Sequence, residues 1–173
     1  MNVRQFQYQI LCLSDKSYRM ALSILKDESS AKDALQELMM RLWEKREQLD
    51  AIANYQAFVL TSMRNLCLDM IRKSIHTHEI PADTEYNAPN PHQQTEQADM
   101  INHIGSMIDT LPEMQRTILR MKDVEEMELE EIAQIMSMTE NAVTVNLSRA
   151  RKKLRDMITN NRKKENKVYE RYR

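Results

Sequence analysis

Apolar residues recur at intervals of three and four along most of this chain, and each such run predicts a helix with one buried face. Leu129, Ile132, Ala133 and Met136 form one run, and Val143, Leu147, Ala150 and Leu154 form the next. Ser137-Met138-Thr139 interrupts the register between them. The Thr139 hydroxyl can cap the second helix, and Glu140 falls at the positive end of its macrodipole. Upstream, the spacing predicts a helix from about Arg4 to Lys26, bent near Ser14-Asp15, and a turn over Lys26 to Ser30. Ser30 with Asp33 resembles a capping box for the next helix, which carries Ala34, Leu35, Leu38, Leu42 and Trp43. A loop over Leu49 to Asn54 precedes a long helix from Tyr55 to about Ser74. Its core-facing positions are Phe58, Val59, Met63, Leu66, Cys67, Met70 and Ile71. Thr110-Leu111-Pro112-Glu113 reads as a further helix start, with Thr110 as cap and Pro112 in the first turn, where its missing N–H costs nothing.

Composition agrees with an all-α fold: there is one Gly, only 5% of residues are aromatic, and three of the four Pro (Pro81, Pro89, Pro91) cluster together. The expected architecture is two small helical domains joined by a flexible acidic linker. The first domain spans residues 1–74, the linker 75–108, the second domain 109–160, and a polar basic tail 161–173. From residue 74 to 110 there is no Lys or Arg and there are six Asp/Glu, with little apolar periodicity, so the segment lacks the surface to order itself. Domains of this size are marginal alone, which leads to the expectation that a partner holds them.

Charge sharpens the second domain. Residues 121–140 hold 1 Lys/Arg against 7 Asp/Glu, whereas residues 141–173 hold 11 against 3. A helix, a three-residue turn and a second helix with a cationic outer face are the elements of a helix-turn-helix that enters the DNA major groove. The alternative for the same pattern is a helical hairpin with a solvated basic face. Few acidic residues stand at i,i+4 from these cations, which weighs against it. Cys12 and Cys67 lie in apolar helical contexts and read as reduced core residues. His76 and His78 have His-x-His spacing, with His92 and His103 downstream, but no cysteine is near and no metal site is expected. No catalytic constellation, Gly-rich phosphate loop or cofactor site is legible, so the chain does not read as an enzyme. There is no apolar run of transmembrane length and no signal-peptide pattern at the N-terminus, and the expected location is the cytoplasm.

Two sets of residues resemble one family. Glu128-Leu129-Glu130-Glu131-Ile132-Ala133, Asn141-Ala142-Val143 and Leu147-Ser148-Arg149-Ala150-Arg151-Lys152-Lys153-Leu154 resemble region 4 of the extracytoplasmic-function (ECF) sigma factors of bacterial RNA polymerase, and the Leu111-Pro112 entry fits them. Independently, Ala31-Lys32-Asp33-Ala34-Leu35-Gln36-Glu37 with Arg41-Leu42-Trp43 resembles region 2.2. Asn65-Leu66-Cys67-Leu68-Asp69-Met70-Ile71-Arg72-Lys73 resembles regions 2.3 and 2.4, and the two matches stand in the family's order.

The resemblance implies partners and roles. Core RNA polymerase, through its β and β′ subunits, and promoter DNA would be the partners, with an anti-sigma factor as a further one, and no membrane insertion is implied. Asp33, Gln36 and Glu37 would dock on a coiled coil of β′. Asn54, Arg64, Asn65, Arg72 and Lys73 would bind the minus-10 element and receive a flipped base. Thr144, Val145, Ser148, Arg149, Arg151, Lys152 and Arg155 would bind the minus-35 element, with Arg149 the candidate for a guanine and Arg151 open to a structural role. The linker would thread the polymerase cleft. Three positions depart from the family pattern. Thr144-Val145-Asn146 stands where basic residues are usual and suggests apolar contact with thymine methyls. Phe58 stands where many members have Trp, and Lys32 where an acidic residue is usual. The competing readings are a stand-alone helix-turn-helix repressor or activator and a helical adaptor that binds no DNA.

Overall fold

The computed structural model describes the backbone of residues 1–77 and 96–171 and the side chains of residues 1–74 and 103–161. Among the described residues eight α-helices follow in order: α1 (Val3–Gln9), α2 (Ser14–Leu25), α3 (Glu28–Glu44), α4 (Tyr55–Thr77), α5 (Glu96–Asp109), α6 (Glu113–Leu119), α7 (Leu129–Met136) and α8 (Glu140–Arg171). Among the described residues there is no strand, and the all-α expectation holds. The Pro-rich stretch of the expected linker and two of its histidines, His78 and His92, lie outside the described residues.

The expected long first helix is broken rather than bent. A 3-10 turn over Leu11–Leu13 separates α1 from α2, and the Ser14 hydroxyl donates to the Leu11 carbonyl at 2.7 Å. The tighter turn lets Phe6, Ile10, Leu13 and Met20 all reach the core while Leu11 and Cys12 face outward. Cys12 is therefore an exposed residue, against expectation, and its thiol donates to the Tyr8 carbonyl. Cys67 is fully buried, and burial pushes its thiol up to about 12, so it stays protonated.

Two expected caps belong to other residues. Lys26 ends α2 in a left-handed conformation with φ 58°. Asp27 then caps α3 by accepting the Ser30 N–H at 2.7 Å, so Ser30 serves as a donor within the first turn. Thr110 donates its hydroxyl backwards to Met107 O at 2.7 Å and leaves Pro112 as an N-cap without a side-chain bond. Helix α5 covers residues expected to be linker. Met100, Ile101, Ile104, Met107 and Ile108 have helical spacing. Met107 is buried and Ile108 partly so, which provides the apolar face that the composition of residues 74–110 as a whole conceals. Helix α8 continues to Arg171, through the expected tail.

One apolar core runs through both halves. Helix α6 packs on α2, and α7 packs on α4, so the two small units hold one another. The expectation of an external partner to hold two marginal domains loses its motive. At the seam sits Arg116 of α6, only 2% exposed. Its Nε donates to Ser23 O in the last turn of α2 at 2.8 Å, and its Nη1 donates to Asp109 O and Leu111 O, each at 3.1 Å. Burial lowers its pKa against the opposing pull of Asp109, yet an arginine keeps its charge. Replacing Arg116 with Ala opens a cavity and strips three carbonyls of their donor. The expected outcome is a loss of about 2–4 kcal/mol in urea unfolding, with Arg116→Met, which keeps the volume, losing less.

Candidate nucleic-acid and polymerase interfaces

Helices α7 and α8 form the helix-turn-helix. The Ser137 N–H bonds to Gln134 O at 3.2 Å and the Met138 N–H to Ala133 O at 2.9 Å. With Ser137 at φ 54°, this is a Schellman termination. Thr139 then caps α8, its Oγ1 accepting the Ala142 N–H at 3.2 Å. Val143, Leu147 and Ala150 are buried and Leu154 half-buried, so the predicted stripe faces the core. Thr144, Val145, Ser148, Arg149, Lys152 and Arg155 are all exposed. Among the described residues Arg149, Lys152, Lys153 and Arg155 have no salt bridge. Arg151 differs: it makes a bidentate pair with Asp123, 3.1 Å through its Nε, and that bond raises its pKa. The structure thus places Arg151 apart from the other cations, as a tie from α8 to the segment before α7.

That segment is a π-helical turn over Arg120–Val124. It closes through the Glu125 N–H to Arg120 O bond at 3.0 Å. The wider turn presents Asp123 to α8 and Glu125 to the other half of the molecule, where Glu125 takes both Arg19 donors at 2.5 and 2.8 Å. The Arg19 hydrogen bond holds the Glu125 carboxyl below the usual carboxylate range.

The candidate minus-10 residues fall into four places. Asn65 and Arg72 share the outer face of α4, about 180° from the buried stripe of Val59, Met63 and Cys67. Arg72 is paired with Asp69 at 3.0 Å. Arg64 and Lys73 stand on opposite flanks of the helix, about 180° apart. Arg64 shares its flank with Ala57 and Leu60, and Leu60 borders the cleft against Thr117, Met121 and Met127 of the second half. The Arg64 Nε is buried without a partner among the described residues. Asn54 is the cap of α4, its Oδ1 accepting the Ala57 N–H at 3.0 Å, and its amide also donates to Glu131 of α7 at 3.3 Å. Gln56 reaches the same carboxylate at 3.5 Å. The structure brings Asn65 and Arg72 together and sets Asn54, Arg64 and Lys73 apart from them.

On α3, Asp33, Gln36 and Glu37 share one outer face. Glu37 pairs with Arg41 at 2.6 Å, while Asp33 and Gln36 are exposed. Sequence reasoning missed the centre of this face. Met40, 52% exposed, lies directly opposite the buried Ala34, Leu38 and Leu42. Trp43 stands beside it, T-shaped against Phe6 at 5.1 Å and covered by the Arg46 guanidinium at 4.5 Å. The signal was present: Met40 follows Asp33 at i+7, Gln36 at i+4 and Glu37 at i+3.

The Arg19–Glu125 bond gives the seam an acid dependence of known sign. A carboxyl whose folded value is lowered contributes stability above the usual carboxylate range and loses it as pH falls through that lowered value. The distance between the two halves, followed by energy transfer between dyes on each, should therefore grow in acid. Glu125→Gln should show a smaller acid dependence, and an unchanged profile would remove Glu125 from the seam.

Residues 11–75 match the sigma-70 region 2 family, and residues 102–154 match sigma-70, region 4. Together the matches cover well over half of the chain. A probable RNA polymerase sigma factor, RfaY of Xanthomonas campestris pv. campestris, is 27% identical over 150 residues, which are 80% of this chain and 36% of RfaY. The chain thus spans about a third of that relative's length. The ECF RNA polymerase sigma factor SigW of Bacillus subtilis is 24% identical over 156 residues, 83% of each chain. In fold the chain is similar to the sigma factor RpoE of Bartonella quintana, solved with the anti-sigma factor NepR. The TM-score is 0.73 at 19% identity, over 91% of this chain and 98% of that one. With both regions matched in order on one chain, the protein belongs to the sigma-70 family, among its ECF members.

Proposed function

We propose that the chain binds core RNA polymerase and directs initiation at promoters with minus-10 and minus-35 elements. The observation that carries this reading is the joint exposure of two unlike faces on one body. The acidic and amide face of α3, centred on Met40, suits a protein partner. The outer face of α8, with Arg149, Lys152 and Arg155 unpaired among the described residues, suits DNA phosphates and base edges. A stand-alone repressor would need only the second.

In this reading Asp33, Gln36, Glu37 and Met40 dock on the polymerase, and α4 presents Asn65 and Arg72 to the opened minus-10 strand. Helix α8 lies in the major groove of the minus-35 element. The catalysis belongs to the polymerase, and the chain supplies position and specificity, in the cytoplasm. Among the described residues no helix is long and apolar enough to cross a membrane. The likeness in fold to a sigma factor solved with its anti-sigma factor supports a partner of that kind for this chain as well.

Reconstitution tests the reading. The chain is mixed with core bacterial RNA polymerase and a pool of promoter fragments, and the run-off products are sequenced. Chain-dependent transcripts sharing two spaced upstream elements are expected. Arg149→Ala should reduce output from the selected promoter about ten- to a hundredfold, and Asp33→Lys should lower polymerase binding without unfolding the chain. Palindromic DNA binding by the chain alone, with no polymerase association, would overturn the proposal.

A further inference from the structure

In the first turns of the recognition helix, an aliphatic residue points directly away from the core. The buried stripe of α8 is Val143, Leu147, Ala150 and Leu154, and Val145 lies about 180° around the helix from it. The residue is 39% exposed. Around it on the outer ridge stand Asn141, Ser148, Arg149 and Lys152, all exposed. The two flanking polar groups are engaged with their own helix. The Thr144 hydroxyl donates to Glu140 O at 2.9 Å, and the Asn146 amide donates to Ala142 O at 2.8 Å. Val145 therefore meets whatever lies opposite the first turns of α8 without a competing hydroxyl or amide from its neighbours in sequence.

The N-terminal turns of a recognition helix are those that reach base edges. A valine can neither donate nor accept a hydrogen bond. Guanine, adenine and cytosine present polar atoms at the major-groove edge, and an isopropyl group laid against them displaces water without replacing its hydrogen bonds. Thymine alone adds a methyl group at C5, which gives the valine an apolar partner. The same side chain thus favours thymine by contact and disfavours the others by desolvation.

We infer that Val145 is a specificity-determining residue that reads the 5-methyl group of a thymine in the minus-35 element. The inference rests on the initiation-factor reading above and deepens it. Arg149, one turn further along the same ridge, supplies the polar part of the readout, and the valine fixes the register of the arginine on the base pairs.

The test replaces thymine by deoxyuridine, which keeps the pairing edge and removes the methyl group. Duplex promoters selected in the reconstitution carry deoxyuridine at each minus-35 thymine in turn, on either strand. At one position chain-dependent run-off should fall about three- to fivefold, the worth of one buried methyl group. With Val145→Ala the thymine-to-deoxyuridine ratio at that position should return to about one. Arg149→Ala should lower total output while keeping the ratio. Chain-dependent transcription with no sensitive thymine overturns the inference and leaves the initiation factor standing. A sensitive thymine whose ratio is unchanged in Val145→Ala removes the valine as its reader. No chain-dependent transcript from any fragment overturns the initiation-factor reading and this inference with it.

Discussion

A guanidinium buried between two helices fixes how the halves of this molecule meet. Arg116 is withdrawn from water yet keeps its charge, so the surrounding groups must take its donors. Two of the three carbonyls come from its own half, Asp109 and Leu111, and the third from Ser23 at the negative end of α2. A charge satisfied in this way tolerates little sliding. The position of α6 on α2 then sets that of α7 on α4, since the π-helical turn between α6 and α7 is pinned by Glu125 to Arg19. Beside the apolar core that runs through both halves, further polar contacts cross the seam. Glu131 takes Asn54 and Gln56, and the Ser23 and Thr117 hydroxyls are buried among the described residues without partners. These polar contacts hold geometry more than they add stability, because water can satisfy each of these groups once the halves part.

That geometry divides the candidate binding residues. The outer faces of α3 and α8 are open, as is the strip of α4 that carries Asn65 and Arg72. Asn54 and the Arg64 flank instead face the second half of the molecule. A nucleic-acid strand passing from Asn65 toward the start of α4 would compete with Glu131 for the Asn54 amide. Docking between the halves and full use of the proposed minus-10 surface are thus alternative engagements of the same side chains.

Much of the fold was legible because burial leaves a periodic trace. The stripes of α7 and α8, the Thr139 cap and the core face of α4 follow from spacing and capping chemistry alone. Helix α5 was hidden because its five apolar positions were averaged with a Pro-rich neighbour. The caps of α3 and α6 were misassigned by a few residues because Asp27 and Ser30, or Thr110 and Pro112, are equally plausible in sequence, and only the path of the chain decides between them. The contacts between halves were beyond reach. Arg116, Arg19 and Glu125 look like ordinary charged helix residues, and nothing local tells a buried arginine from a solvated one. At the candidate site, motif resemblance located the helices, but side-chain engagement distinguished Arg151, tied to Asp123, from its unpaired neighbours.

The uneven charge of the second half acquires a physical account once its acids are placed. Asp123, Glu125, Glu128 and Glu131 all fall within the acidic stretch, and each is engaged. They meet Arg151, Arg19, Lys122, and the Asn54 and Gln56 amides in that order. These four acids are therefore engaged away from the outer face of α8, and among the described residues Arg149, Lys152, Lys153 and Arg155 have no salt bridge. Those cations attract any phosphate backbone and release its counterions, an effect that salt weakens and sequence does not alter. In the proposed reading, discrimination comes from the few side chains that reach base edges, with Arg149 and Val145 among them. Raising salt should then reduce affinity for all sequences together while leaving their ratio nearly intact, because a methyl contact displaces no counterion.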